Sequence, residues 1–225
     1  PGNNFVAAAK RAVAGRVGTD SEAGATEILV VADATADAGF VAADLVSQAE
    51  HDEQASAVLV TDSAELAASV AREVEIRAAA TRHAERVRAA LSGEQSAIVL
   101  VDSRVEATAF SNAYAPEHLE LHLADPRPED FVHAGAVFVG PYSPVSLGDY
   151  LAGSNHVLPT GGQARYAAGL SAATFLRPQQ VVRYERHALA RVHAGIVTLA
   201  EAEALPAHGE AVTARFADRP ASDPA

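Results

Sequence analysis

The stretch from Asn112 to Thr160 carries Pro116-Glu117-His118 and, further on, Asp149, Asn155 and His156. A carboxylate beside an imidazole is the minimum equipment for moving protons near neutral pH. Adjacent residues entering a strand point to opposite faces, so Glu117 and His118 serve one site only if the backbone bends there. Otherwise they are an ordinary surface turn. Pro116 disfavours helix at Ala115 and sets such a turn. Asp149, Asn155 and His156 belong to a polar, glycine-punctuated segment, Gly148 to Gly162. Such a segment is raw material for a metal or substrate site, or simply for turns. Gln48 and His51 stand three apart near the end of an expected helix and share a face. They can converge on one cation, or merely end a helix whose dipole favours His51. His208 follows Glu203 by five residues in the C-terminal part, a solvated position on spacing alone. His83, His122, His133, His187 and His193 are read as ordinary solvated histidines.

The elements that must position these groups follow from periodicity. Short apolar runs at Glu27 to Asp33, Ala57 to Thr61, Ala97 to Val101, Leu119 to Leu123 and Ala136 to Val139 predict strands. Helical spacing covers 5–16, Ala38 to His51, Ala64 to Leu91 and Val105 to Tyr114, with a short helix at Pro126 to Val132. Alternating strands and helices predict an α/β fold: a mostly parallel sheet covered by helices on both faces. Ligands of such sheets sit beyond the carboxyl ends of strands, so the segments after Asp33, Thr61, Asp102 and Gly140 are the places to look. Beyond Gly161 the pattern changes. A helix from Tyr184 to Leu205, broken by Pro206, and a last one from Glu210 to Phe216 predict a helical appendage. The final stretch from Ala217 to Ala225 predicts a disordered tail.

Composition narrows the chemistry. The 225 residues include no Cys, which excludes disulfides, thiolate nucleophiles and cysteine-held zinc. Any metal is then held by nitrogen and oxygen. Seventeen basic against 29 acidic residues give a net charge of −12, which argues against a nucleic-acid partner. No apolar run is long enough to cross a membrane. No G-x-G-x-x-G follows a strand, and neither a P-loop nor a G-x-S-x-G is present. The chain opens at Pro1-Gly2-Asn3-Asn4 and contains no Met. It reads as a piece that starts within a domain.

Several ordered phrases resemble the histidinol dehydrogenase family. They are Pro1-Gly2-Asn3, Ala23 to Glu27 (AGATE), Asp44 to His51 (DLVSQAEH), Asn112 to Leu119 (NAYAPEHL), Ser146 to Tyr150 (SLGDY), Gly153 to Thr160 (GSNHVLPT) and Leu205 to His208 (LPAH). Ala25 departs from the Pro usual in the family. The resemblance implies cytoplasmic, NAD-dependent and zinc-dependent oxidation of L-histidinol to L-histidine through the aldehyde, consuming two NAD, as the last step of histidine biosynthesis. By position, Gln48, His51, Asp149 and His208 match the zinc (Zn2+) ligands, and Glu117 and His118 the catalytic pair. Thr26, Gln48, His51, His118, Asp149, His156, Glu203 and His208 match substrate-binding positions, and Asn3 a dinucleotide-contacting one. The family's enzymes are homodimers in which the tail of one subunit completes the other's site.

The implied organisation is the tail of a preceding Rossmann-like domain at 1–22 and an incomplete Rossmann-like α/β domain with the zinc and Glu-His site at 23–170. A helical dimerisation appendage at 171–216 and a disordered tail at 217–225 follow. Two other readings stand beside this one. The chain could be a related zinc- and NAD-dependent dehydrogenase of another amino or hydroxy alcohol, or a non-catalytic zinc-binding dimerisation fragment.

Overall fold

Among the residues described by the computed structural model, 4–20 and 23–217, five apolar runs pair into one all-parallel sheet. The strands are β1 (Glu27–Ala32), β2 (Ser56–Thr61), β3 (Ala97–Leu100), β4 (His118–His122) and β5 (Ala136–Val139), in the order β3-β2-β1-β4-β5. The chain builds outward from β1 to β3, then returns to lay β4 on the other side of β1. Crossover helices link the strands. These are α2 (Ala38–Ala49), α3 (Ala64–Ala80), α4 (Ala84–Ser92) and α5 (Arg104–Tyr114); a single 3-10 turn at Pro128–Asp130 joins β4 to β5, α6 (Val145–Tyr150) follows β5, and α1 (Asn4–Val13) precedes them all. The expected α/β architecture is thus present, and the sheet expected to be mostly parallel is parallel throughout.

Pleating sends alternate residues to opposite layers. Ile28, Val30, Ala32 and Leu59 pack with Val41, Ala42 and Leu45 of α2 and Leu66 and Val70 of α3. Leu29, Val31, Val58, Val60, Leu119 and Leu121 pack on the other side with Ala107 of α5 and with Phe131. In register, Ile28, Val30 and Ala32 stand beside His118, Glu120 and His122. The α2-facing side of β4 is therefore polar where β1 is apolar. On the sheet's margins, Ile98, Leu100, Val137 and Val139 remain exposed, so coverage of the faces is incomplete within the described residues.

Local boundaries differ from the periodicity in instructive places. The single helix expected over Ala64 to Leu91 breaks at Thr81, which turns to extended backbone. Its Oγ1 donates to Glu50 Oε1 at 2.9 Å, an alternative partner that ends α3. The segment expected as loop from Gly148 begins inside a helix, α6. Its first N–H, at Val145, donates to the Glu120 carboxylate, 25 residues away and invisible to local pattern.

The chain divides into two compact units, Pro1–Leu176 and Arg177–Ala225. The second holds α7 (Arg186–Ala202) and α8 (Pro206–Thr213). Pro206 opens α8 rather than merely breaking a helix, since its fixed φ and missing N–H suit the first turn. The last helix therefore starts earlier than the expected Glu210. Asn3 and 218–225, most of the expected tail, lie outside the described residues. Among the described residues no helix is long and apolar enough to cross a membrane.

Gly135 marks a close approach between the entry to β5 and the Pro116 turn. Its N–H donates to the Pro116 carbonyl at 2.9 Å, and a Cβ placed there meets the Glu117 carbonyl oxygen at 2.6 Å. Gly135→Ala is predicted to lower stability by about 1–3 kcal/mol, the usual cost of overpacking against backbone. Urea denaturation checks this, and an unchanged midpoint contradicts it.

Candidate active site

Helices that connect parallel strands run antiparallel to them, so the end of each crossover helix returns to the amino edge of the sheet. Gln48 rides that return on α2, and His51, expected on the same helix, follows just past its end at Ala49. Thr26 and Glu27 enter β1 at the same edge, and Glu117 and His118 enter β4. Past β5, α6 packs back against that strand, where Gly148 leaves room for the Phe138 ring; a Cβ there meets the ring at 2.5 Å. The next residue is Asp149.

A pocket of about 490 Å3 results, lined by Thr26, His51, Glu117, His118, Asp149, Tyr150 and His156. The carboxyl-end segments after Asp33, Thr61 and Asp102 hold none of these groups, and the one after Gly140 supplies Asp149, Tyr150 and His156 only after α6 has carried the chain back. The expectation of a carboxyl-end site is corrected: the candidate residues gather at the amino ends of β1 and β4. The general tendency of open sheets gives way here to polar residues placed at strand starts and at a helix end.

The backbone bend anticipated at Glu117 is present. Ala115 closes α5 in the left-handed region at φ 55°, and Pro116 follows. Glu117 and His118 consequently both face the pocket, with His118 Nδ1 3.6 Å from Glu117 Oε2. His118 Nδ1 also lies 3.0 Å from the Glu27 carbonyl oxygen. A carbonyl can only accept, so the ring proton belongs on Nδ1 and Nε2 carries the basic lone pair. That Nε2 is buried and has no hydrogen-bond partner; its nearest carboxylate oxygen is Asp149 Oδ1 at 3.9 Å.

Glu117 Oε2 accepts from Thr26 Oγ1 at 2.7 Å and from the Glu27 N–H at 3.0 Å. Thr26 Oγ1 in turn accepts from Gln48 Nε2 at 2.7 Å. This relay fixes the amide of Gln48, 2% exposed, with Nε2 committed and Oε1 as its acceptor end. Glu27, which the sequence reading passed over, accepts from the Gly161 N–H at 2.8 Å and ties the glycine-rich segment to the site. Burial pushes its carboxyl above the ordinary range, against the opposing pull of the Gly161 and Glu117 N–H groups. Asn155 does not line the pocket; its amide donates to the Leu170 carbonyl and accepts from the Val157 N–H, shaping the loop before His156. Glu203 and His208 belong to the second unit, where Glu203 ends α7 and His208 lies exposed in the first turn of α8.

A second polar cluster went unrecognised in the sequence. Ligand atoms of Asp44, Glu120 and His122 lie within 4.8 Å of one another, the sole such group of His, Asp or Glu among the described residues. His122, read as solvated, is instead buried on β4 with Nε2 3.2 Å from Glu120 Oε2. Its alternation with His118 and Glu120 was the available signal. Burial, then the charge of Glu120 and a hydrogen-bonding contact with it, push the Asp44 carboxyl up to about 8.

The fold and this pocket define an α/β protein with a poised imidazole–carboxylate pair inside a ring of nitrogen and oxygen donors. Residues 1–216 match the family model for histidinol dehydrogenase. The histidinol dehydrogenase of Leifsonia xyli subsp. xyli is 66% identical over 221 residues, covering 97% of this chain and 51% of that protein. That of Corynebacterium glutamicum is 57% identical over 227 residues, covering 100% of this chain and 51% of that protein. The crystal structure of histidinol dehydrogenase from Elizabethkingia anophelis superposes with a TM-score of 0.88 at 39% identity, over 96% of this chain and 50% of that one. The chain belongs to the histidinol dehydrogenase family. It spans about half the length of the curated relatives it matches.

Two stability measurements probe this site. Thr26→Val strands the Gln48 amide and one Glu117 acceptor, and is predicted to cost about 1–3 kcal/mol, while Thr26→Ser keeps the relay and costs less; equal losses for both would contradict the relay. Asp44, faced by Glu120 and His122 of β4 and Arg77 of α3, binds its proton more tightly when folded. Its contribution to stability is therefore full below its ordinary 3.8 and is lost as pH rises through about 8. Melting temperature is expected to fall from pH 5 to pH 8, and to fall less in Asp44→Asn.

Proposed function

We propose that this chain supplies the proton-handling and metal-holding part of a histidinol dehydrogenase. The reaction is the oxidation of L-histidinol to L-histidine through histidinaldehyde, consuming two NAD, in the cytoplasm as the last step of histidine biosynthesis. The observation that carries the reading is the buried, unpartnered Nε2 of His118, on a ring whose other nitrogen holds its proton against the Glu27 carbonyl. It is a base with its tautomer fixed and its lone pair free.

The donors present fit zinc. In a chain without cysteine, the amide oxygen of Gln48, the His51 ring and the Asp149 carboxylate offer the nitrogen and oxygen set that the ion accepts. The orphaned imidazole nitrogen 3.9 Å from Asp149 Oδ1 supports a further polar occupant of the pocket. Gln48, His51, Asp149 and His208 would hold the ion, His208 coming from the partner subunit of a homodimer. When bound, zinc would orient the imidazole and amine of histidinol and polarise the reacting oxygen. The dinucleotide is a different case. Asn3 lies outside the described residues and no glycine-rich phosphate loop follows a strand, so the described residues do not by themselves make its cradle.

The chain's own work is with protons. His118 Nε2 takes the proton of the substrate hydroxyl as the alcohol is oxidised. The resulting imidazolium keeps its Nδ1–H on the Glu27 carbonyl, and Glu117 Oε2 at 3.6 Å offsets its charge. In the second oxidation Glu117, anchored through Oε2 by Thr26 and the Glu27 N–H, orients water toward the aldehyde and receives its proton. His118, its first proton released to solvent, accepts another as the hydrate is oxidised, the hydride of each oxidation passing to one of the two NAD. Thr26, His156, Glu203 and His208 would contact the substrate along with the metal-holding residues.

Two measurements on the complete enzyme test the proposal. His118→Asn is expected to lower kcat by about 100- to 10,000-fold, the usual contribution of a general base, with zinc content unchanged. His51→Ala and Asp149→Ala are expected to lose zinc by elemental analysis. Full turnover in the first, or full zinc in the others, overturns the assignment.

A further inference from the structure

Behind the pocket lies a second tier that repeats the elements of the first. Asp44 precedes Gln48 on α2 by one turn, Glu120 follows His118 on β4 by one full pleat, and Val145 precedes Asp149 on α6 by one turn. Within this tier Glu120 is the hub. It is 0% exposed, its Oε1 accepts from the Val145 N–H at 2.9 Å, and its Oε2 meets His122 Nε2 at 3.2 Å. Asp44 reaches the same carboxyl from α2.

We propose that Glu120, bridging Asp44 of α2 and the first N–H of α6, is a positioning residue that sets the spacing of Gln48 and His51 against Asp149. The inference rests on the metal-holding reading above and deepens it. α6 is a six-residue helix, and Glu120 satisfies its leading N–H from beneath. A lateral shift at Val145 is passed through a single turn to Asp149. On the other side, Asp44 fixes the rotation of the α2 face that also carries Gln48. A buried carboxyl facing another carboxyl tolerates little movement, since separation leaves each desolvated and unpaired. His122 closes the third side of Glu120.

Zinc affinity of the complete enzyme, measured by chelator competition, is the deciding readout, with melting of the metal-free protein measured alongside. Glu120→Gln keeps an acceptor for Val145 and a donor for Asp44, and is expected to bind zinc within about threefold of the parent. Glu120→Leu is expected to weaken zinc by about 10- to 100-fold, the usual effect of losing a group that orients a ligand. If Glu120→Leu does not fold, Asp44→Ala carries the test with the same expected loss, restored by Asp44→Asn. Lower melting temperature with unchanged zinc affinity overturns the proposal and leaves a purely structural cluster. A second equivalent of Zn2+ or Mn2+ abolished by Glu120→Gln also overturns it, in favour of a cation site at the cluster. His51→Ala and Asp149→Ala serve as controls in the same titration. If they leave zinc binding intact the ligand assignment itself fails, whereas their loss of zinc beside an unaffected Glu120→Leu refutes only the positioning role.

Discussion

The structure depends on keeping a polar stripe of β4 buried. His118, Glu120 and His122 occupy the face that, on the neighbouring strand, is filled by Ile28, Val30 and Ala32. Each buried polar atom must find a partner or carry a penalty of a few kcal/mol. The partners come from every adjoining element: the Glu27 carbonyl for His118, the Val145 N–H for Glu120, Asp44 from the covering helix. Meeting those demands places α2 and α6 on this side of the sheet. Two ring nitrogens of the stripe are left without a hydrogen-bond partner, His122 Nδ1 and His118 Nε2, and of the two residues His118 lines the pocket.

The location of that pocket follows from handedness and direction rather than from the usual habit of parallel sheets. β1 and β4 adjoin where the strand order reverses, which commonly marks a ligand crevice at the carboxyl edge. Here the chemistry-bearing residues stand at the first positions of β1 and β4 and at the last turn of α2, so they meet at the amino edge. Two glycines permit the closeness. Gly135 lets β5 enter against the Glu117 carbonyl, and Gly148 lets α6 lie on the Phe138 ring, which itself stands 6.1 Å from the His118 ring.

Family membership and local chemistry support one another at particular residues. The relay from Gln48 through Thr26 to Glu117 explains why an amide, a hydroxyl and a carboxylate so far apart in the chain occur together. Glu27 adds a tie from β1 to the glycine-rich segment at Gly161. The backbone bend at Ala115 brings Glu117 and His118 to one side, with His118 Nδ1 3.6 Å from Glu117 Oε2.

Much of this was legible in order along the chain. Apolar runs marked the five strands, capping and periodicity marked most helices, and the phrases around Gln48, Glu117 and Asp149 marked polar residues that the fold gathers at the amino edge of the sheet. The break at Thr81 and the helix at Val145 escaped notice because their causes, Glu50 and Glu120, are distant in sequence. The burial of His122 is signalled only by its alternation with His118 and Glu120 along β4, polar residues that by themselves resemble a solvated strand face. Residue types and their spacing determined by themselves which groups could move protons or hold a cation, since those capacities are properties of side chains. Which edge of the sheet they would share, which imidazole nitrogen would be left bare, and that Asp44 and Glu120 would be pressed together were decided only by tertiary packing, because each depends on contacts between strands and helices that no local pattern encodes.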